Sequence, residues 1–175
     1  MKFTETYTYD VDFASVWEMY ADEGFARARA ERAGLSKAQV ELQQNDRELT
    51  FTISSDVPAE MLPAAASKFI SSNLQVTLTE TWQLEGAAAA SGNAAEASEA
   101  TGTFSLEVQG APVKASATCT LEATSPTQTT RTMDGDLKVS IPVVGKMIES
   151  QAIKLTARIA AADQEAAATW LQNRR

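Results

Sequence analysis

DGDLKVSIPVVGKMIE, residues Asp134 to Glu149, changes period in mid-course. Its first half alternates, with Leu137, Val139 and Ile141 at every second position, the period of a strand with one covered face. Past Pro142 the period turns helical. Val144, Ile148, Ala152, Leu155, Ile159, Ala162 and Ala166 recur at spacings of three and four, with Lys146, Glu149, Lys154, Arg158 and Asp163 largely outside that stripe. A helix from Val143 to about Leu171 would be about 40 Å long at ~1.5 Å per residue. Pro142 divides the two elements because it withholds a ladder donor and presets the turn into the helix. A helix so long, with one apolar stripe, has to cover a sheet.

The rest of the chain supplies that sheet. Phe3, Tyr7 and Tyr9 alternate with threonines in a first strand, and Glu5 shares the aromatic face. Asp12 then precedes Phe13, Val16, Trp17 and Tyr20 at helical spacing, as an N-cap does. A second short helix is expected from Glu23 to Ala33, closed by Gly34. Val40 and Leu42 mark one strand, and Leu49, Phe51 and Ile53 the next, with Gln44-Asn45-Asp46 turning between them. Ala59 to Ser72 is a connection whose form the pattern leaves open. Strands follow over Leu74 to Leu84, over Phe104 to Val108, over Val113 to Leu121, and over Met133 to Ile141, where Gly135 falls in register at a point suited to a bulge or bend.

Between two of these strands, residues 86–101 are rich in alanine, glycine and serine and nearly free of large apolar side chains. Such a segment has little burial to offset its ordering entropy, and it reads as a mobile hairpin tip. The rest of residues 1–175 reads as one domain.

The balance of 15 Lys and Arg against 23 Asp and Glu gives a net charge of −8. That sign repels nucleic-acid phosphates and anionic lipid surfaces. No segment approaches ~18 continuous apolar residues, so no membrane insertion is expected, and the N-terminus lacks the basic start and apolar run of a secretion signal. The chain reads as cytoplasmic. It contains no His and a single cysteine, Cys119. That composition excludes an intrachain disulfide, a Cys/His zinc site and any nucleophile activated by histidine. Gly145-Lys146 lacks the glycine spacing of a phosphate loop, and Asp134-x-Asp136 lacks the remainder of a calcium loop. No metal and no cofactor are expected.

One strand, two short helices, a run of antiparallel strands and a long C-terminal helix make an α+β order. With the aromatic first strand, the WQLE strand at Trp82 to Glu85, the strand passing through Ile141-Pro142 to Gly145-Lys146 and Glu149, and the tail at Trp170-Leu171, the chain resembles the START-like (SRPBCC, Bet v 1-like) helix-grip superfamily. Within it, the chain is similar to a bacterial family known as domain of unknown function 2505. The resemblance implies a curved antiparallel sheet of about seven strands wrapped around the C-terminal helix. It also implies a hydrophobic cavity between the two. It implies no established reaction and carries over no catalytic residue.

Strand parity places three ionisable residues, Glu5, Glu80 and Arg131, on otherwise apolar faces. Pointing into a cavity they would have to pair, because an unpaired charge in low dielectric costs several kcal/mol. The alternative is that each lies at a strand end or bulge and reaches water. Small residues on the inward faces, Ala115, Ala117, Cys119, Ala152, Ala162 and Ala166, leave either room for a ligand or room for Trp17, Trp82, Phe51 and Phe104 to fill. The candidate ligand-binding set is Glu80, Arg131, Trp82, Tyr7, Met133, Leu155 and Ile159.

Three functions fit these features. The first is a binding protein that holds a small hydrophobic molecule, lipid or polyketide-like. The second is a cyclase or hydratase type of enzyme using an inward carboxylate such as Glu80, which would need its pKa raised toward neutrality. The third is a protein-interaction domain with a filled core, against which the threonine-rich outer faces argue. Nothing in the sequence sets the oligomeric state.

Overall fold

In the computed structural model, which describes residues 1–35, 37–58 and 74–174, the first strand, β1 (Lys2–Tyr9), buries Tyr7 and Tyr9 and turns its threonines outward. Asp12 then caps α1 (Phe13–Tyr20), accepting from the Ser15 backbone N–H at 2.9 Å, and Asp22 caps α2 (Glu23–Arg32). Gly34 follows with φ of 95°, the left-handed value that ends a helix without steric cost to glycine.

The strands β2 (Gln39–Gln44) and β3 (Glu48–Asp56) form a hairpin in which Asn45 Oδ1 accepts from the N–H groups of Arg47 and Glu48. Four longer strands complete the sheet: β4 (Gln75–Leu84), β5 (Glu99–Gln109), β6 (Val113–Ser125) and β7 (Gln128–Val139). Among the described residues the sheet has seven antiparallel strands in the order β1-β7-β6-β5-β4-β3-β2. The expected connection over Ala59 to Ser72 lies outside the described residues.

Two stretches show more than the sequence pattern specified. Residues 86–101 contain a short helix, α3 (Gly86–Ser91), and a single 3-10 turn (Ala94–Glu96), and their last residues already belong to β5. The alanine run has the strongest intrinsic helix propensity, and Gly92 stops the helix with φ of 67° instead of preventing it. Ala88 is buried, so the segment packs. Gly135 does not mark a bulge: it pairs in register with Phe3 and Ala117, and the register shift falls between Ala123 and Ser125. Glycine is required at 135 because a Cβ there would collide with the Phe3 ring and stand 2.8 Å from Ser116 O.

The strand-to-helix junction is tight. Gly145 N–H donates to Ile141 O at 2.9 Å, and a Cβ on Gly145 would collide with Val139 O. Glu149 reaches back from α4 (Gly145–Asn173) to accept from Val139 N–H at 2.9 Å. Val143, between Pro142 and the helix, takes φ of 71° and is fully exposed. From this hinge α4 runs along the concave face, with Thr156 donating to Glu5 and Asp163 meeting Tyr9.

Candidate functional site

Registers across the sheet sort the concave face into rows. One row runs Ile53, Leu78, Leu106, Ala115 and Leu137; the next runs Phe51, Glu80, Phe104, Ala117, Gly135 and Phe3. A third contains Leu49, Trp82, Gly102, Cys119, Met133 and Glu5, and a fourth Leu84, Ala100, Leu121, Arg131 and Tyr7. The expected parity of Glu80, Arg131 and Glu5 is therefore the one adopted.

Glu80 and Arg131 neither end a strand nor reach water. Each is 1% exposed, and Arg131 Nη2 donates to Glu80 Oε1 at 2.9 Å. Trp82 Nε1–H donates to Glu80 Oε2 at 3.2 Å. Two residues that the sequence reading passed over complete the cluster. Arg29 of α2 donates to Glu80 at 3.2 Å and forms an ion pair with Asp163 of α4, which also lies 3.9 Å from Arg131. Asp163, expected outside the apolar stripe, is 3% exposed and accepts from Tyr9 Oη at 2.7 Å, and Tyr9 in turn meets Tyr20 Oη at 2.8 Å.

Two guanidinium groups and two carboxylates make the cluster formally neutral, which is what allows it to be buried. Aromatic faces supply the remaining contacts: Arg131 lies over Tyr7 at 5.0 Å and Trp82 at 5.6 Å, and Arg29 over Phe51 at 5.1 Å. Burial would raise the Glu80 carboxyl, but Arg131 and Arg29, helped by the Trp82 N–H, outweigh it and hold the group below its ordinary range. Burial pushes the Tyr7 hydroxyl up to about 12 and the Cys119 thiol up to about 11. Glu80 is thus held ionised and not poised to exchange a proton near neutral pH.

Small residues make room for it. A Cβ on Gly102 would stand 2.6 Å from Thr81 O and 2.8 Å from the Trp82 ring. Ala117 and Cys119 lie beside it on β6, so the inward small residues of these strands sit under the indole and the guanidinium.

The opposite end of the concave face is less filled. Phe3, Leu78, Phe104, Leu106 and Ala115 are only half-buried. Ile159 lies on the sheet-facing stripe of α4, three residues from Thr156 and Ala162 and four from Asp163, yet it is 43% exposed. Its neighbours on that stripe, Ala162, Asp163 and Ala166, are buried. Ile159 is thus the apolar residue of that stripe left most open to solvent among the described side chains. Of the remaining candidates, Trp82, Tyr7 and Met133 are buried around the ion cluster, and the side chain of Leu155 is outside the described residues.

Among the described residues no group of three or more His, Cys, Asp and Glu could hold a metal ion, and no helix is long and apolar enough to cross a membrane.

A curved seven-stranded antiparallel sheet gripping a long C-terminal helix, with two short helices after the first strand, is the START-like helix-grip architecture. The chain belongs to the family described as Protein of unknown function (DUF2505), whose model matches residues 4–171. The fold is similar to that of the ZhuI aromatase/cyclase from Streptomyces sp. R1128, at 14% identity and a TM-score of 0.58, over 99% of this chain and 94% of that one. It is also similar to TTHA0849 from Thermus thermophilus, at 8% identity and a TM-score of 0.53, over 97% and 98% of the two chains. Human STARD10 matches at 14% identity and a TM-score of 0.50, over 98% of this chain and 66% of that one. No curated protein matches the chain.

Proposed function

We propose that this protein binds a small hydrophobic molecule, lipid or polyketide-like, in the cleft between the middle of α4 and the apolar rows of the sheet. The observation that carries this reading is Ile159, an apolar residue on the sheet-facing stripe that remains 43% exposed. Elsewhere on the concave face Leu78, Phe104, Leu106 and Phe3 are also half-buried. Apolar surface left wet between two elements gains free energy when an apolar ligand covers it, about 25 cal/mol per Å².

The ion cluster forms the end wall of this cleft. Glu80 neighbours Phe104 across the ladder, so the charged residues meet the apolar row through one carboxylate whose oxygens are already engaged. Orientation of a ligand there falls to Trp82, Tyr7 and Met133, which surround Arg131. The Glu80 carboxyl is held ionised and enclosed, so the cyclase or hydratase reading loses the residue that would serve as its proton donor. The fold shared with an aromatase/cyclase supports the pocket and leaves the chemistry to be tested.

Isothermal titration with single-chain fatty acids and with fused aromatic compounds tests the reading. Saturable binding at one site is expected, with its loss in Ile159→Trp, where the indole fills the cleft. Binding that is undiminished in both Ile159→Trp and Leu106→Trp would place the ligand elsewhere.

A further inference from the structure

The first strand lies at one edge of the sheet, and its hydrogen-bond parity fixes which backbone groups face outward. The Met1 amine donates to Leu137 O, and Leu137 N–H donates to Met1 O at 2.9 Å, so these two residues form a doubly bonded pair. Bonded pairs alternate along an antiparallel ladder. Phe3, Glu5, Tyr7 and Tyr9 therefore face β7, and the N–H and C=O groups of Lys2, Thr4, Thr6 and Thr8 point away from the sheet. Among the described residues nothing hydrogen-bonds to those outward groups.

An edge of this kind pairs with other strands unless it is guarded by a proline, a bulge, shortness or charge. This strand has no proline, keeps unbroken register from Lys2 to Tyr9, and offers Lys2 as its one outward-facing charge. The other edge strand, β2, is shorter and has α2 packed against it.

We propose that two copies of the chain join β1 to β1 about a two-fold axis through Thr6, making one continuous sheet. This register is self-complementary, as a two-fold interface must be. With Thr6 opposite its own copy, Thr4 faces Thr8 and Lys2 faces Asp10, each pair occurring twice. These are the even residues, whose backbone groups point outward and whose side chains lie on the exposed face. On the concave side Phe3, half-buried in one chain, faces Tyr9, and Glu5 faces Tyr7. Opposite-charge, Thr–Thr and aromatic pairs are the cross-strand combinations that stabilise a ladder. Among the described residues Lys2 meets Asp136, at 3.6 Å on the surface, and Asp10 accepts from Gln128 at 3.2 Å, so both charges are available to a partner.

The space beyond the end of β1 fits the same occupant. A half-open groove of about 330 Å³ lies between Thr8–Val11 and the last turns of α4, with Tyr9, Val11, Ala167, Ala168 and Leu171 as its apolar lining. The proposed register sets Met1 opposite Val11, over this groove. Met1 is one of the few large apolar residues left exposed, at 41%.

Sedimentation equilibrium of the full chain tests the pairing. The wild type is expected to dimerise reversibly. Thr6→Lys sets two like charges opposite one another on the axis and is expected to weaken dimerisation about tenfold or more. Thr6→Pro removes an outward N–H that the monomer does not use and is expected to abolish dimerisation; circular dichroism confirms that both variants fold. Lys2→Glu weakens the dimer, and the double reversal Lys2→Glu with Asp10→Lys restores it. Amide exchange at Thr4, Thr6 and Thr8 slows as concentration rises. A chain that stays monomeric, a dimer indifferent to both Thr6 variants, or a double reversal no better than Lys2→Glu would overturn the proposal.

Discussion

Arg131 and Glu80 lie on strands separated by two others and still meet at 2.9 Å. In a flat sheet the three intervening spacings, at ~4.8 Å each, would hold their strands about 14 Å apart, and the two residues are offset by two rows along them as well. Curvature shortens that path on the concave side, and Gly102, Ala117 and Cys119 leave the floor clear beneath the two side chains. The pair thus depends on the bend of the sheet, and the bend is closed over it by Arg29 and Asp163 from two helices.

Removing one member of this cluster strands the other charges in low dielectric. Glu80→Gln and Arg131→Met are each expected to destabilise the fold by about 3–5 kcal/mol. The double variant should cost less than the sum, because no uncompensated charge remains between the pair. Urea unfolding followed by tryptophan fluorescence and circular dichroism measures all three.

The same cluster sets a pH dependence. The folded pKa of Glu80 lies below its unfolded value, so its contribution is complete above the unfolded value, near ~4.3, and is lost as pH falls through the folded one. Stability measured from neutral pH down into the acid range should fall more steeply in the wild type than in Glu80→Gln. Parallel acid limbs would contradict this role.

Gly102 is expected to tolerate no side chain. Alanine there would drive its methyl into Thr81 O and the Trp82 ring, and about 1–3 kcal/mol of stability should be lost. A shifted tryptophan emission in Gly102→Ala would locate the disturbance at Trp82.

Val143 offers the opposite test. A β-branched residue at φ of 71° is strained, and this one is fully exposed, so no packing is lost on its removal. Val143→Gly is expected to stabilise the protein by about 1 kcal/mol, since the left-handed conformation costs an ordinary residue about 1–2 kcal/mol. Thermal unfolding reads the change.

How much of this was legible from the sequence depends on the element. The break at Pro142 announced both the last strand and the long helix, because the change of period is large and the proline sits on it. Glu80 and Arg131 were visible by strand parity, which admits only two faces. Arg29 and Asp163 were missed although a signal existed. Asp163 is four residues after Ile159 and three before Ala166, on the apolar stripe, and Arg29 is four after Phe25 on the buried side of α2. The charge of Asp163 led it to be read as outward, and Arg29 was not singled out at all. A charge on an apolar helical face is informative only once a partner is known, and the partners here lie on strands far away in the chain. In the alanine-rich segment the short helix and the role of Gly92 in ending it were not legible, because composition alone does not say which glycine starts a loop and which caps a helix.

The open cleft at Ile159 is the central claim, and native mass spectrometry of the purified full chain tests it most directly. The prediction is a stoichiometric apolar adduct, either carried through purification or formed on incubation with fatty acids and aromatic polyketide-like compounds, and absent in Ile159→Trp. A bare mass before and after that incubation would contradict the account, as would an adduct that Ile159→Trp retains.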